Sequence, residues 1–287
     1  MVHLHIMRLF IPSMIGSVLL MCCVEQAGNP VASTAPAAAN DDTASTVSTR
    51  FPPPPGYTRV DENPRTFGQY LRGLPLKPAG AAVHLFNGEL KWNQRAHAAV
   101  IDMSVGSRDL QQCADAVMRL RTEYLYSVSR QDDIAFNFTS GFRAEWKRWR
   151  KGDRIVVCND HCTWVSKGTP DSSHAALMSY LQQVFSYAGT LSLEHELKAA
   201  PTDSVRAGDI FIQGGSPGHA VIVVDVAQNN SGQYAFMLAQ SYMPAQDIHV
   251  LRNHRDEALG AWFILGDADK LYTPEWTFEW ADLKRWP

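Results

Sequence analysis

Three residues stand at positions that suit thiol chemistry. Cys113 lies at the start of Leu110–Tyr126, where Leu110, Cys113, Val117, Leu120 and Tyr124 recur three and four apart, the period of an amphipathic helix. Asp109 is the expected N-cap, with Gln112 three residues on. The first turn of a helix carries partial positive charge, which favours thiolate over thiol. Gln111 and Gln112 precede the cysteine, and a side-chain amide there can donate to a developing oxyanion.

His219 opens the apolar run Ala220–Val224, directly after the turn Gly214–Gly218. The run is rich in β-branched residues and bounded by turn signals, so it reads as a buried strand. An imidazole at the mouth of such a strand can serve as the base for a thiol. The residue that orients the ring follows from strand geometry. Asp225 shares the ring's face, but six residues of strand put it about 20 Å away. The next strand, Tyr234–Ser241, returns after a turn within Gln228–Gln233. Pairing across Asn229–Asn230 brings Gln240 opposite His219, and pairing one step later brings Tyr242 there. Gln240 is therefore the expected partner and Tyr242 the alternative. The competing reading is packing alone: Cys113 as a small buried hydrophobe, His219 as a strand end, and Gln240 satisfying a backbone group.

Other chemistries find no support. There is no Gly-x-Ser-x-Gly elbow, phosphate loop or His-Glu-x-x-His helix. His249 and His254 lie close together, but in an expected loop without thiolates or a carboxylate cluster, so no metal or other cofactor is expected. Cys158 and Cys162 flank Asn159–Asp160–His161 and can close a small loop as a disulfide, which leaves Cys113 as a free thiol.

The elements that must position these residues follow from pattern. Thr66–Arg72 reads as a short capped helix, and Ala82–Phe86 with Glu89–Asn93 as a hairpin about Asn87–Gly88. Ala98–Val105 reads as a strand, and Ile134, Phe136 and Phe138 alternate as in a half-buried one. Gly141–Gly152 carries Trp146 and Trp149 among five basic residues, either an amphipathic surface helix with inward indoles or a binding rim. Ser172–Tyr187 and Ser192–Ala200 read as further helices, and Asp209–Gln213 as the strand before the His219 turn.

The chain has 287 residues, 45% hydrophobic, with a formal net charge of −3. That size suits one sizeable domain, and the charge argues against a nucleic-acid partner. Residues 1–23 read as an export signal whose apolar core ends in Leu20–Met21–Cys22–Cys23, a lipobox-like pattern with Cys23 as the lipidation site; ordinary cleavage near Ala27 is the alternative. Residues 24–55 are poor in large apolar side chains and end in a proline run, so they read as a flexible spacer. The globular domain is then expected over 56–287.

Long stretches of the chain resemble one known family. LQQCADAVMRLRTEYLY, FNFTSG, YAGTLSLEHEL, GDIFIQGGSPGHAVIVVDVA, LAQSYMPAQDIHVL and TPEWTF resemble the bacterial family called domain of unknown function 4846, from about Phe51 to Trp280. Its members resemble this chain in carrying export or lipoprotein signals. More distantly, the order of Cys113 on a helix, His219 on a strand and Gln240 on the next is similar to papain-like thiol hydrolases of the NlpC and CHAP kinds. This chain departs from them in having strands before the cysteine helix and Gln at the third position. The resemblance implies an α+β fold with an antiparallel sheet packed against the cysteine helix. It implies Cys113 as nucleophile, His219 as base, Gln240 as orienting residue and Gln112 at the oxyanion. The partners it implies are a cell-envelope peptide or glycan, with a membrane reached through the lipid anchor. A non-catalytic binding or scaffolding module in the envelope is the other reading.

Overall fold

The computed structural model describes residues 45–159 and 161–287. It is a mixed α+β structure built on one nine-stranded antiparallel sheet. Numbered along the chain, the sheet strands are β1 (Tyr57–Arg59), β2 (His97–Val100), β3 (Lys198–Ala199), β4 (Ile210–Gln213), β5 (His219–Asn229), β6 (Tyr234–Gln240), β7 (His249–Leu251), β8 (Trp262–Ile264) and β9 (Leu283–Arg285). They run in the order β2-β7-β6-β5-β4-β9-β3, with β1 on the far half of β5 and β8 on the near half of β6. The helices are α1 (Val47–Arg50), α2 (Phe67–Arg72), α3 (Cys113–Ser127), α4 (Trp146–Trp149), α5 (His174–Tyr187) and α6 (Thr190–Glu196).

β5 is the centre of the sheet, and its residues from His219 to Ala227 are all buried. Alternate side chains of a strand point to opposite faces, and here both faces are covered. Ala220, Ile222 and Val224 join the core that α3 and α5 complete through Val117, Leu120, Leu177 and Leu181. Val221, Val223 and Val226 face a second core of Phe211, Phe236, Leu238, Phe263 and Phe278. The unbroken apolar run at Ala220–Val224 is what a strand covered on both sides requires.

Several elements lie where their patterns put them. Thr66 caps α2, its side chain accepting from Gln69 N. The Asn87–Gly88 turn closes as expected, with Gly88 at φ +86° and Leu85 N bonded to Glu89 O. The flanking segments meet at one bridge, His84 with Leu90, rather than as full strands. Gly208, at φ +94°, enters β4 where a side chain would strike the Phe67 ring at 2.8 Å.

Other expectations are corrected. The segment 45–55 belongs to the folded part: Thr46 caps α1, Val47 is fully buried and its amide bonds Leu74 O. Residues 24–44, the signal and Cys23 lie outside the described residues. α3 begins at Cys113, not Leu110, and its cap is Gln112, not Asp109, because Leu110 and Gln112 amides are used in tight turns to Arg108 O and Leu110 O. His249 stands in a strand rather than a loop. Gly141–Gly152 is a short strand, Arg143–Glu145, and a single helical turn rather than one helix, though Trp146 and Trp149 do pack inward as the helix reading expects. Cys158 and Cys162 are free thiols. In their hairpin Cys158 pairs with His161 and Cys162 with Val157, so the two side chains leave opposite faces of the ribbon.

Asp225, which was ruled out as the partner of His219, holds the N-terminal segment to the sheet. It is fully buried and paired with the guanidinium groups of Arg59 and Arg72, which come from β1 and α2. Removing one member of a buried pair strands the other charge. Asp225→Ala is therefore expected to lower stability by about 3–5 kcal/mol, read from the midpoint of chemical denaturation. A change within about 0.5 kcal/mol, the size typical of a surface substitution, would show that the cluster does not anchor this segment.

Candidate functional site

The sulfur of Cys113 is placed by helix and strand together. Residue 113 is the first of α3, and Ser241, just past the end of β6, ties the helix entry down by donating to Gln111 O at 2.9 Å. Gln112 N donates to Asp115 Oδ2 at 3.0 Å, the backbone half of a capping interaction one turn later than the sequence suggests. The thiol is 6% exposed. Backbone amides of Ala114, Ala220 and Cys113 itself act on it, and Ala220 is the residue after His219. The cysteine is thus laid against the mouth of the buried strand, 106 positions on in sequence.

The register of β5 and β6 explains how His219 finds its partners. Tyr234 pairs with Gln228 and Met237 with Asp225, but Leu238 pairs with Val223, so β5 carries one extra residue, Val224. After this bulge Ala239 is opposite Ile222. Continued, that register sets Gln240 level with Val221, diagonal to His219 and on its face. The directly opposed pairing expected from the turn is replaced by a diagonal one, which a long side chain spans. His219 Nε2 lies 2.8 Å from Gln240 Oε1. Tyr242, the alternative, is also present: its ring centroid is 4.9 Å from that of His219. Trp276 and Phe278 close the imidazole in, at 5.3 and 6.0 Å.

Behind Gln240 lies a buried network that the sequence did not reveal. Gln240 Nε2 donates to Glu275 Oε2 at 2.7 Å, and Lys91 Nζ donates to Glu275 Oε1 at 2.6 Å. Gln240 Nε2 is also 3.4 Å from Nε2 of His249, whose Nδ1 is 2.9 Å from Asp247 O. Glu275 stands within the TPEWTF segment, a lone acid among aromatic residues. Lys91 stands between Leu90 and Trp92, where alternation would turn the apolar residues inward. The structure reverses this: Lys91 is 3% exposed and Trp92 89%.

A cleft of about 250 Å³ opens beside the thiol, lined by Gln112, Cys113, Asp115, Thr190, Gly218 and Met243 among others. Gly218 makes this approach feasible. A side chain there would meet Gly215 O and Thr190 Oγ1 at 2.5 Å, so the turn before His219 can settle onto α6 only with glycine. Gln112 is at the cleft, with its amide donating to Asp109 Oδ1 at 3.1 Å. Trp146 and Trp149 are in the core instead, packed tilted and edge-on against Tyr180, and form no rim. Among the described residues no group of three or more His, Cys, Asp or Glu converges as metal ligands. None of their helices is long and apolar enough to cross a membrane.

Burial outweighs the helix terminus in setting the charge state. It pushes the Cys113 thiol up to about 11, with Asp115 adding to the rise and the nearby amides offsetting part of it. The expected bias toward thiolate is thereby overturned. Burial also pushes His219 down to about 4 and His249 to about 3, with the Gln240 bond and the Asp247 carbonyl respectively opposing the fall. Cys113 therefore rests as a neutral thiol and His219 as a neutral imidazole.

These features define an α+β protein with a buried cysteine and a glutamine-bonded histidine at the mouth of one buried strand. The chain matches the family described as Domain of unknown function (4846) over residues 47–285, and it belongs to that family. No curated protein and no solved structure matches it.

The two depressed histidines give stability an acid limb. The unfolded chain takes up their protons below about 6.5, whereas the folded chain takes them up only near 4 and 3. Their contribution is complete above about pH 6.5 and is lost as pH falls toward those values, at up to about 1.4 kcal/mol per pH unit for each group. His249→Leu is expected to remove roughly one proton from the slope of unfolding free energy between about pH 6 and 4. An unchanged slope would show that His249 titrates normally in the folded protein.

Proposed function

We propose that the protein is a papain-like cysteine hydrolase or acyltransferase acting on an amide or ester of the cell envelope, exported and held there by a lipid at Cys23. The observation that supports the reading is the placement of Cys113: at the head of α3 and on the cleft, it is bonded by the backbone of Ala220, the residue after the Gln240-bonded His219. An unpaired buried cysteine needs no such arrangement to pack. The envelope as the place of action rests on the sequence signal and the resemblance alone.

In this mechanism Cys113 Sγ attacks the carbonyl carbon while its proton passes to His219. The carbon–sulfur bond forms as the carbonyl π bond opens onto oxygen. The amides at the start of α3 and the Gln112 side chain hold that oxyanion. His219 then returns the proton to the leaving amine or alcohol as its bond to carbon breaks. Water, or an acceptor amine or alcohol, releases the thioester by the same steps. Because the resting pair is neutral, the proton moves during the attack and not before it, so the base must be correctly poised.

The binding-module reading loses its motivation, since the two indoles it relied on are buried. An acyl-type thiol probe tests the enzyme reading, used on protein with Cys158 and Cys162 replaced by Ser. Labelling of Cys113 is expected, absent in Cys113→Ala and slowed about 100-fold in His219→Ala, the lower range for a general base. Failure of the folded protein to label, or labelling at the same rate without His219, would sink the proposal.

A further inference from the structure

We infer that Glu275, held by Lys91, is a positioning residue that fixes which nitrogen of His219 carries the proton. The inference concerns the base in the reading above, but its evidence and its test do not need a substrate.

The argument is one of donors and acceptors. The ionised carboxylate of Glu275 only accepts. It accepts from Lys91 at 2.6 and 2.9 Å, from Asn93 Nδ2 at 3.4 Å and from Gln240 at 2.7 Å. The group that Gln240 turns toward Glu275 must therefore be its NH2. The Gln240 carbonyl is left facing His219, at 2.8 Å from Nε2. A carbonyl only accepts, so Nε2 must carry the hydrogen, and Nδ1 keeps the lone pair that can take a proton. His249 agrees with this assignment. Its Nδ1 donates to Asp247 O, which leaves Nε2 to accept the second Gln240 hydrogen at 3.4 Å. Gln240 and His219 are each 1% exposed, so water has little chance to substitute for these partners.

The ion pair supplies an orientation that Gln240 cannot supply alone. An amide presents its oxygen or its nitrogen to an imidazole with nearly the same shape. With Glu275→Gln, Lys91 still claims a carbonyl oxygen, now that of the new amide, whose NH2 then faces Gln240. Two NH2 groups cannot bond each other, so Gln240 turns over, gaining a full bond at position 275 in exchange for the long 3.4 Å one to His249 Nε2. Its own NH2 then faces His219, which must accept at Nε2 and hold its proton at Nδ1, where it no longer acts as a base.

The test reads the His219 tautomer by long-range proton–nitrogen correlation on labelled protein. The wild type is expected to show Nε2 protonated and Nδ1 bare, and Glu275→Gln to exchange them. In the same samples, labelling of Cys113 is expected to fall about 100-fold. Since a lone change beside Lys91 leaves a buried cation unpaired, the neutral pair Lys91→Met with Glu275→Gln is the second arm, with a mixture of tautomers expected. A pure Nε2–H tautomer in either folded variant would overturn the inference. A tautomer exchange in a protein whose wild-type Cys113 never labels would uphold it while removing the hydrolase reading.

Discussion

A polar group can be buried without large cost only when each hydrogen it carries meets an acceptor and each charge meets its opposite. The mouth of β5 is organised around that constraint. His219 and Gln240 are deep in the sheet, between an aromatic wall on one side and the bonded ends of β6 and β7 on the other. They bond each other, but the Gln240 NH2 still needs a strong acceptor and that acceptor a counter-charge, and these partners come from outside the sheet. Lys91 from the Asn87–Gly88 hairpin and Glu275 from the C-terminal segment supply them as an ion pair. Buried pairs are weak as a source of stability, and in some proteins they serve instead to fix one arrangement among alternatives. Here the arrangement selected is the orientation of one amide.

The same burial explains why the cysteine is quiet at rest. A helix N-terminus lowers a thiol, and desolvation raises it; at Cys113 the second effect is larger. Asp115, buried close by, adds to the cost of a negative sulfur, and its own carboxyl is held well above the ordinary range by the loss of solvent. Amides of Ala114 and Ala220 pull the other way. In the proposed hydrolase such a thiol is activated by its base during reaction, and so depends more on the position of a proton than on a preformed thiolate.

Much of the scaffold was legible because local rules and tertiary packing agree in it. Ala220–Val224 reads as a buried strand with His219 at its start, and the structure covers it on both faces. Asp225 was excluded correctly by distance along the strand, and it turned out to serve the Arg59–Arg72 cluster. Gln240 was reached through a register that the Val224 bulge alters; it remained a partner because its side chain is long enough for the diagonal. The start of α3 was misjudged because Leu110 continues the helical spacing while its amide is already spent in a turn. Lys91 and Glu275 were not legible at all. They are 184 positions apart, and each contradicts its local pattern, a cation between apolar residues and an acid among aromatics. Only their meeting explains either.

That pattern of failure has a physical meaning. Residues whose burial satisfies local alternation are placed by the hydrophobic effect and need no further reason. Residues buried against it have to be retained by something else. Trp92 is turned out to solvent so that Lys91 can be turned in, an exchange that forgoes the burial of a large aromatic surface. A buried lysine–glutamate pair in place of that indole is a weak source of stability, but it fixes the arrangement of the group it bonds. The arrangement in reach of this pair is the Gln240 amide and, through it, the imidazole that faces the mouth of the strand.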